Sequence, residues 1–351
     1  MKQDLIEQIL KIIEHPEVDE KGILFQLKNL LNDKDLQNST FKASKSIARL
    51  VSENIELIKN GFTETHLIPT GLIPLDVVIG GFSLGELVVI AGRPAMGKSQ
   101  LLVQIAMNIS LTQPVLFFTF DLSEFNLTNR FLSNITGIAA DKILQHELTD
   151  DEKKLVISKG EQFDRHKISI NDSGNNSFSA FLGLCKKKIE HDGVKVIMVD
   201  YLQMMSSRKN YKSREQEVSY ITRELKTIAK DYNVLIIVSC QLSRAVESRN
   251  GDKRPQLSDL RESGAIEQDA DKVIAIYRPE YYGFSEDCNG NITRNLIELM
   301  ILKNRYGKVG SVHLSKDDYF TRLKSLEIYQ SQQEFTFLQN RIDEIEEDNL
   351  F

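Results

Sequence analysis

Gly92-Arg93-Pro94-Ala95-Met96-Gly97-Lys98-Ser99 combines two glycines, a lysine and a hydroxyl at the spacing G-x-x-x-x-G-K-[ST]. Glycines let backbone N–H groups turn inward around phosphate oxygens, and a lysine after the second one reaches the terminal phosphates of a nucleoside triphosphate. The Ser99 hydroxyl is of the type that ligates Mg²⁺, and a helix running through Gln100–Ile109 would aim its positive end at the same anion. The apolar run Leu87–Ala91 stands just before the motif, which completes the strand, loop and helix that this chemistry requires. A second carboxylate belongs at the end of a neighbouring buried strand, and Val194-Lys195-Val196-Ile197-Met198-Val199-Asp200 supplies it. Paired with the first motif, Asp200 reads as the holder of the magnesium hydration shell and not merely as a turn former. The two motifs together indicate a nucleoside triphosphatase, with a nucleoside triphosphate and Mg²⁺ as the expected cofactors.

The elements that must carry these groups are visible as periodicity. From about Pro69, short β-branched runs alternate with helical stretches: Leu87–Ala91, Val115–Phe120, Ile168–Ile170, Val194–Val199, Val234–Ser239 and Val273–Tyr277. Nearly unbroken apolar runs mark strands buried on both faces, so the expected class is α/β with a mostly parallel central sheet flanked by helices. Ile297–Leu302 and Gly310–Leu314, separated by Arg305-Tyr306-Gly307-Lys308, predict a terminal hairpin. Ahead of this body, Leu5, Ile9, Ile12 and Ile13, then Ile23, Leu24, Leu27, Leu30 and Leu31, suggest a small helical pair interrupted at His15-Pro16. Asn32–Thr40 reads as a linker, and Ile47, Val51, Ile55 and Ile58 stripe a further helix that needs a surface to pack against. The expected divisions are a short helical region at 1–40, a linker helix at 41–68, the main domain at 69–325 and a tail at 326–351.

Composition narrows the class further. The chain has 351 residues, 41% hydrophobic and 27% charged, which excludes disorder as the dominant state. Nothing approaches the roughly 18 consecutive apolar residues of a membrane span, and Met1–Leu10 mixes charge with apolar residues, so the expectation is a cytoplasmic protein. Cys185, Cys240 and Cys288 are far apart and lack metal-ligand spacing, which supports neither disulfides nor zinc. The net charge is −6, but Tyr329–Phe351 holds six acids and one base, leaving the rest nearly neutral and able to focus positive potential locally. Leu338, Ile342 and Ile345 put an amphipathic helix in that tail, either laid on the core or used for docking or autoinhibition.

The segments between and beyond the two motifs carry a resemblance. Asp200-Tyr201-Leu202-Gln203-Met204-Met205, Gln241-Leu242-Ser243-Arg244, the block Asp259-Leu260-Arg261-Glu262-Ser263-Gly264-Ala265-Ile266-Glu267-Gln268-Asp269-Ala270-Asp271 and Lys303-Asn304-Arg305-Tyr306-Gly307 stand where such words stand in one family. Over about Thr70–Leu323 the chain resembles the motor domain of DnaB-type replicative DNA helicases. The resemblance implies a RecA-like P-loop fold, a homo-oligomeric, hexameric ring with ATP between subunits, and 5′→3′ translocation along single-stranded DNA in the channel. It implies a phosphate cradle of Gly92 to Gln100, with Lys98, Asp121, Asp200, Gln241 and Arg305 in catalysis and Ser99 and Asp200 at the metal. Arg305 matches an arginine finger that reaches a neighbour's ATP, with Lys303 as its companion, and Gln241 matches a polar sensor of the γ-phosphate. Arg261, Glu262 and Gly264 match a loop that tracks the DNA backbone, although a structural turn is the competing reading for all three.

Two departures qualify the resemblance. The family has glutamate where Asp121 stands, so the carboxylate that prepares the attacking water is one methylene shorter; Glu124 is the second candidate for that role. The Ile47–Ile58 helix resembles the family's linker helix, but Met1–Leu31 does not match its N-terminal collar. A helicase loader or other replication proteins are expected partners, with primase a doubtful one. The expected activity is ATP hydrolysis coupled to DNA unwinding. The alternatives are a DnaB-like ATP-binding regulator that assembles on a partner without productive unwinding, and, more distantly, a RecA-like recombinase.

Overall fold

The computed structural model describes residues 46–59, 67–207, 211–260, 264–286, 290 and 292–326. The expected N-terminal helical pair, the Asn32–Thr40 linker, Arg261, Glu262, Cys288 and the acidic tail lie outside the described residues. The chain divides into two compact units, Met1–Glu64 and Thr65–Phe351. In the first, the striped segment forms helix α1 (Ile47–Lys59). Ile47, Val51, Ile55 and Ile58 are exposed along it, and Arg49 pairs with Glu53 one turn on at 2.9 Å.

The second unit begins with a short antiparallel pair, β1 (Leu67–Ile68) and β2 (Phe82–Ser83), around helix α2 (Ile73–Ile79). Then come β3 (Leu87–Gly92), α3 (Lys98–Ile109), β4 (Val115–Thr119), α4 (Glu124–Thr136), α5 (Ala140–Leu144), α6 (Asp150–Gly160) and β5 (Ile168–Asn171). Helix α7 (Phe178–Asp192), β6 (Val196–Asp200), α8 (Arg214–Tyr232), β7 (Leu235–Gln241), α9 (Ala245–Ser248) and α10 (Gly264–Asp269) continue the chain. It ends in β8 (Lys272–Tyr277), β9 (Leu296–Asn304), β10 (Gly310–Lys316) and β11 (Leu323–Ser325).

Nine strands form one sheet in the order β11-β10-β9-β8-β3-β7-β6-β4-β5. Strands β8, β3, β7, β6, β4 and β5 run parallel, and β9, β10 and β11 extend the sheet as an antiparallel meander. Every residue of β3, β4, β6 and β8 is buried, which is what unbroken apolar runs signify in a sheet covered on both sides. The twofold strand period then sorts the core. Val88, Ile90, Phe117, Met198 and Ile237 face α3 and α4, where Leu101, Leu102, Ile105 and Phe131 pack. Val89, Leu116, Ile197, Val199 and Ile236 face α7 and α8, where Phe181, Val218, Ile221 and Leu225 pack.

The predicted runs all become strands, and the terminal hairpin forms from β9 and β10. Strand β11 was not expected: its three residues are too few for a periodicity to declare itself, and its place is fixed by pairing with β10. A buried ion pair sits beside the central strands of this apolar sheet. Lys272, opening β8, donates to both oxygens of Glu86, just before β3, at 2.6 Å, and both side chains are almost wholly buried. Removing one partner strands a charge without water. We expect Lys272→Met to lose roughly 3–5 kcal/mol in denaturant unfolding, and Glu86→Leu with Lys272→Met to regain most of it.

Candidate nucleoside triphosphate site

The phosphate-type loop leaves the C-terminal end of β3, the strand flanked by β7 and β8. A Cβ at Gly92 would lie 2.7 Å from Ile276 Cγ2 on β8, so the chain can leave the sheet here only as glycine. Gly97, at φ +103°, caps α3, and a Cβ there would lie 2.1 Å from Cζ of Phe320. Between them the side chains of Arg93 and Met96 turn into the interior. Arg93 donates from Nε to Glu247 Oε1 at 2.9 Å and from Nη1 to the Leu242 carbonyl at 2.7 Å, which ties the loop to the segment after β7. That hydrogen bond holds the Glu247 carboxyl below the usual carboxylate range. Lys98 Nζ folds back onto the Arg93 carbonyl at 3.0 Å. Burial lowers the pKa of this ammonium, and the charge of Asp200 opposes the shift. A partly desolvated lysine held by one carbonyl can exchange that contact for anionic oxygens at little reorganisation.

The strand ends next to the loop are kept level by the sheet. Thr119 on β4 is the register partner of Asp200 on β6, and the Phe120 N–H donates to the Asp200 carbonyl at 2.8 Å. The Thr119 hydroxyl closes the following turn through Leu122, which puts Asp121 on the exposed lip. Glu124 begins α4 beyond that lip, where its N–H donates to Asp172 Oδ2 at 2.9 Å. Asp200 is only 3% exposed, and the Ser239 hydroxyl donates to one of its oxygens. Its neighbour Tyr201 has its pKa raised by burial and by the charges of Asp121 and Asp200. At the end of β7, Gln203 brackets the Gln241 backbone, accepting from its N–H and donating to its carbonyl, each at 3.1 Å.

One cavity of about 640 Å³ brings part of this set together. Pro94, Ala95, Gly97, Lys98, Ser99 and Gln100 form its floor, and Asp121, Tyr201 and Gln241 form one wall. Glu124 is not on that wall, so of the two candidate carboxylates it is Asp121 that faces the cavity. Ser99 lines the cavity, whereas Asp200 is not on its lining and reaches the site through its charge on Lys98; one hydroxyl and one deeply set carboxylate are a sparse donor set that would suit magnesium together with phosphates and water. No cluster of three or more His, Cys, Asp or Glu is found among the described residues.

Lys303 and Arg305 are not brought to this cavity. Lys303 Nζ donates to the carbonyls of Glu267 and Gln268 at 2.6 and 3.0 Å, while Arg305, after β9, stands 54% exposed near Asp271. Gly264 opens α10.

The opposite wall holds residues the sequence motifs did not single out. Arg130 on α4 faces the cavity half-buried and has no hydrogen bond or ion pair among the described residues. Tyr319 and Phe320 come from the turn between β10 and β11, with Phe320 at φ +54°. Arg278 stacks over the Phe320 ring at 5.2 Å and donates to the Ala95 carbonyl at 2.9 Å. Gln100 and Asn134 hold the same turn by donating to the Thr321 carbonyl at 2.6 and 2.9 Å. The aromatic wall thus lies more than 200 positions along the chain from the loop it covers, and no local pattern could have linked them.

Comparison with known proteins agrees with this geometry. The family described as DnaB-like helicase C terminal domain matches residues 68–325. The replicative DNA helicase DnaB of Geobacillus stearothermophilus is 36% identical over 294 residues, covering 83% of this chain and 63% of that protein. The replicative DNA helicase DnaC of Bacillus subtilis is 35% identical over 293 residues, covering 82% of this chain and 63% of that protein. The chain therefore spans a little under two thirds of the length of these curated relatives. Among solved structures, a separately determined ATPase domain superposes with a TM-score of 0.73 at 30% identity, covering 81% of this chain and all of that one. A DnaB-like replicative helicase studied with its primase gives 0.74 at 28% identity, covering 93% of this chain and 76% of that one. With a RecA-like sheet, the phosphate loop at the C-terminal end of an interior strand and the family match across most of its length, the chain belongs to the DnaB-like helicases through their C-terminal domain.

Proposed function

We propose that the chain is an ATP-driven DNA helicase motor that hydrolyses ATP at the subunit interfaces of a homo-oligomeric ring and moves 5′→3′ on single-stranded DNA. The observation that carries this reading is a division of labour. The phosphate loop, Asp121 and Gln241 share one cavity, while the Lys303–Arg305 pair stands outside it on another strand end. A cation pair that cannot serve its own chain's cavity is useful if a second copy supplies the site.

In this reading, backbone N–H groups from Gly92 to Gln100 bind the phosphates, and Lys98 trades the Arg93 carbonyl for the terminal ones. Ser99 and Asp200 would hold Mg²⁺, which neutralises charge on the phosphates. Asp121 orients the attacking water, Gln241 reports the γ-phosphate to the loop beyond it, and Arg305 from a neighbour stabilises charge on the transferred group. Arg130, facing the cavity without a partner among the described residues, is a further cation available to the phosphates. Arg261, Glu262 and Gly264 are proposed to follow the DNA backbone, a loader or other replication proteins to assist the ring, and the cytoplasm to be its compartment. The primase contact described for one similar helicase is not carried over.

Asp121 supports a second reading, an ATP-binding regulator with little turnover, because its carboxylate is one methylene short of the family's glutamate. ATP turnover by the full chain, with and without single-stranded DNA, separates the two. Strong stimulation identifies a motor, and tight binding without turnover identifies the regulator. We expect Lys98→Ala to reduce DNA-stimulated turnover by about 10²-fold or more. Asp121→Asn should do likewise, while Asp121→Glu should equal or exceed the parent; an unimpaired Asp121→Asn would remove Asp121 from the mechanism. Affinity for single-stranded DNA should fall linearly on a log–log plot against salt, since contacts to phosphate release counterions, and a flat plot would argue against backbone tracking.

A further inference from the structure

Arg305 is held by its own chain in a way that the phosphate chemistry does not itself require. Asp271, fully buried just after α10, grips it twice. The Asp271 carbonyl accepts the Arg305 N–H at 2.9 Å, and Asp271 Oδ1 lies 3.6 Å from Arg305 Nη1. The two carboxylate oxygens differ in their duties. Oδ2 accepts from the Leu87 N–H, the first residue of β3, at 2.8 Å and from Lys226 Nζ on α8 at 2.6 Å. Oδ1 is buried without a hydrogen bond among the described residues, although it faces the guanidinium. A buried carboxylate oxygen left short of a partner is costly, and here the shortfall is on the side that points at Arg305.

The main chain adds to this aim. Strand β9 has an irregularity in its register with β8 between Val273 and Ile274, beside the Lys303 pairing, and such irregularities redirect side chains. Lys303 is tied to the last carbonyls of α10, so both cations of the pair are fixed to the segment that ends at Asp271. An arginine that is half exposed would otherwise sample many rotamers. A carboxylate anchored to the strand leading into the phosphate loop restricts that sampling before any nucleotide arrives.

We infer that Asp271 is the positioning residue of Arg305, setting the direction in which the guanidinium leaves its own chain toward the nucleotide of a neighbour. This rests on the proposal that Arg305 acts in trans, and its test separates the two ideas. In Asp271→Asn the amide oxygen can keep the bonds to Leu87 and Lys226 while the charge facing Arg305 is lost.

The experiment measures binding of a fluorescent ATP analogue, KM and DNA-stimulated kcat for full-length Asp271→Asn, alone and mixed with Lys98→Ala. A mixture of Arg305→Ala with Lys98→Ala is the reference. Each Lys98→Ala subunit brings an intact Arg305, and each partner subunit brings an intact phosphate loop. We expect Asp271→Asn to keep nucleotide affinity and KM within about twofold, to lose about tenfold or more in kcat, and to be restored by Lys98→Ala as the reference is. Parental kcat in Asp271→Asn, loss of nucleotide binding, or failure to be restored while the reference is restored would each overturn the assignment. If the reference mixture itself is not restored, the trans reading fails and the role of Asp271 falls with it. Should Asp271→Asn not fold, Asp271→Asn with Lys226→Met leaves no buried ammonium unpaired, and the same mixing decides.

Discussion

The site depends on the requirement that buried backbone N–H and C=O groups be paired. Strand β3 lies in the interior of the sheet, bonded to β7 on one side and β8 on the other. Its six residues are all buried, and it cannot slide without breaking two ladders at once. That rigidity sets where Gly92 emerges, and with it the whole phosphate loop. Strands β4 and β6 are levelled in the same way, through Thr119 opposite Asp200 and the Phe120 to Asp200 bond. Asp121, on the cavity wall, and Asp200, buried beside it at the end of the neighbouring strand, are therefore set at heights fixed by main-chain pairing, not by the side chains themselves.

Burial then differentiates groups of similar chemistry. Asp200 is deep and takes a hydroxyl from Ser239, whereas Asp121 stands on an exposed lip two residues beyond β4. A deep carboxylate with one oxygen committed is suited to a fixed role at a metal, and an exposed one to meeting water. On the role proposed for Asp121, its shorter side chain falls on the group that must reach the attacking water, which is why turnover and not binding is the discriminating observable. Arg93 illustrates the reverse arrangement: a charged residue in the phosphate loop directs its charge inward, to Glu247 and Leu242, and so ties that loop to the segment following β7.

Much of this was legible in the sequence because it is local. Unbroken apolar runs gave the strands of the parallel sheet, and the Gly92–Ser99 spacing gave the loop, since strand, turn and helix follow one another along the chain. Asp200 was legible as an acid ending an apolar run, and Gln241 through the resemblance of the segment that follows β7. The aromatic wall was not, because Tyr319 and Phe320 reach the loop only through the β9–β11 meander, and β11 is too short to announce itself. No local pattern marks Arg130, because only the packing of α4 beside the loop brings it to the cavity. Gln203 lies inside a quoted motif, yet its bracket around Gln241 depends on β6 and β7 being neighbours, which is a matter of topology. Arg261 and Glu262 remain readings of the sequence alone.

The meander has one more consequence. Its two turns project different chemistry: the turn between β9 and β10 carries Arg305, and the turn between β10 and β11 lays Phe320 on Gly97. They are joined by β10, whose seven residues span roughly 23 Å. Because β10 is hydrogen-bonded along both edges, it behaves as a beam and not a hinge. The aromatic cover of the phosphate loop at one end and the exposed arginine at the other are therefore held at a fixed spacing, and neither is placed independently of the other.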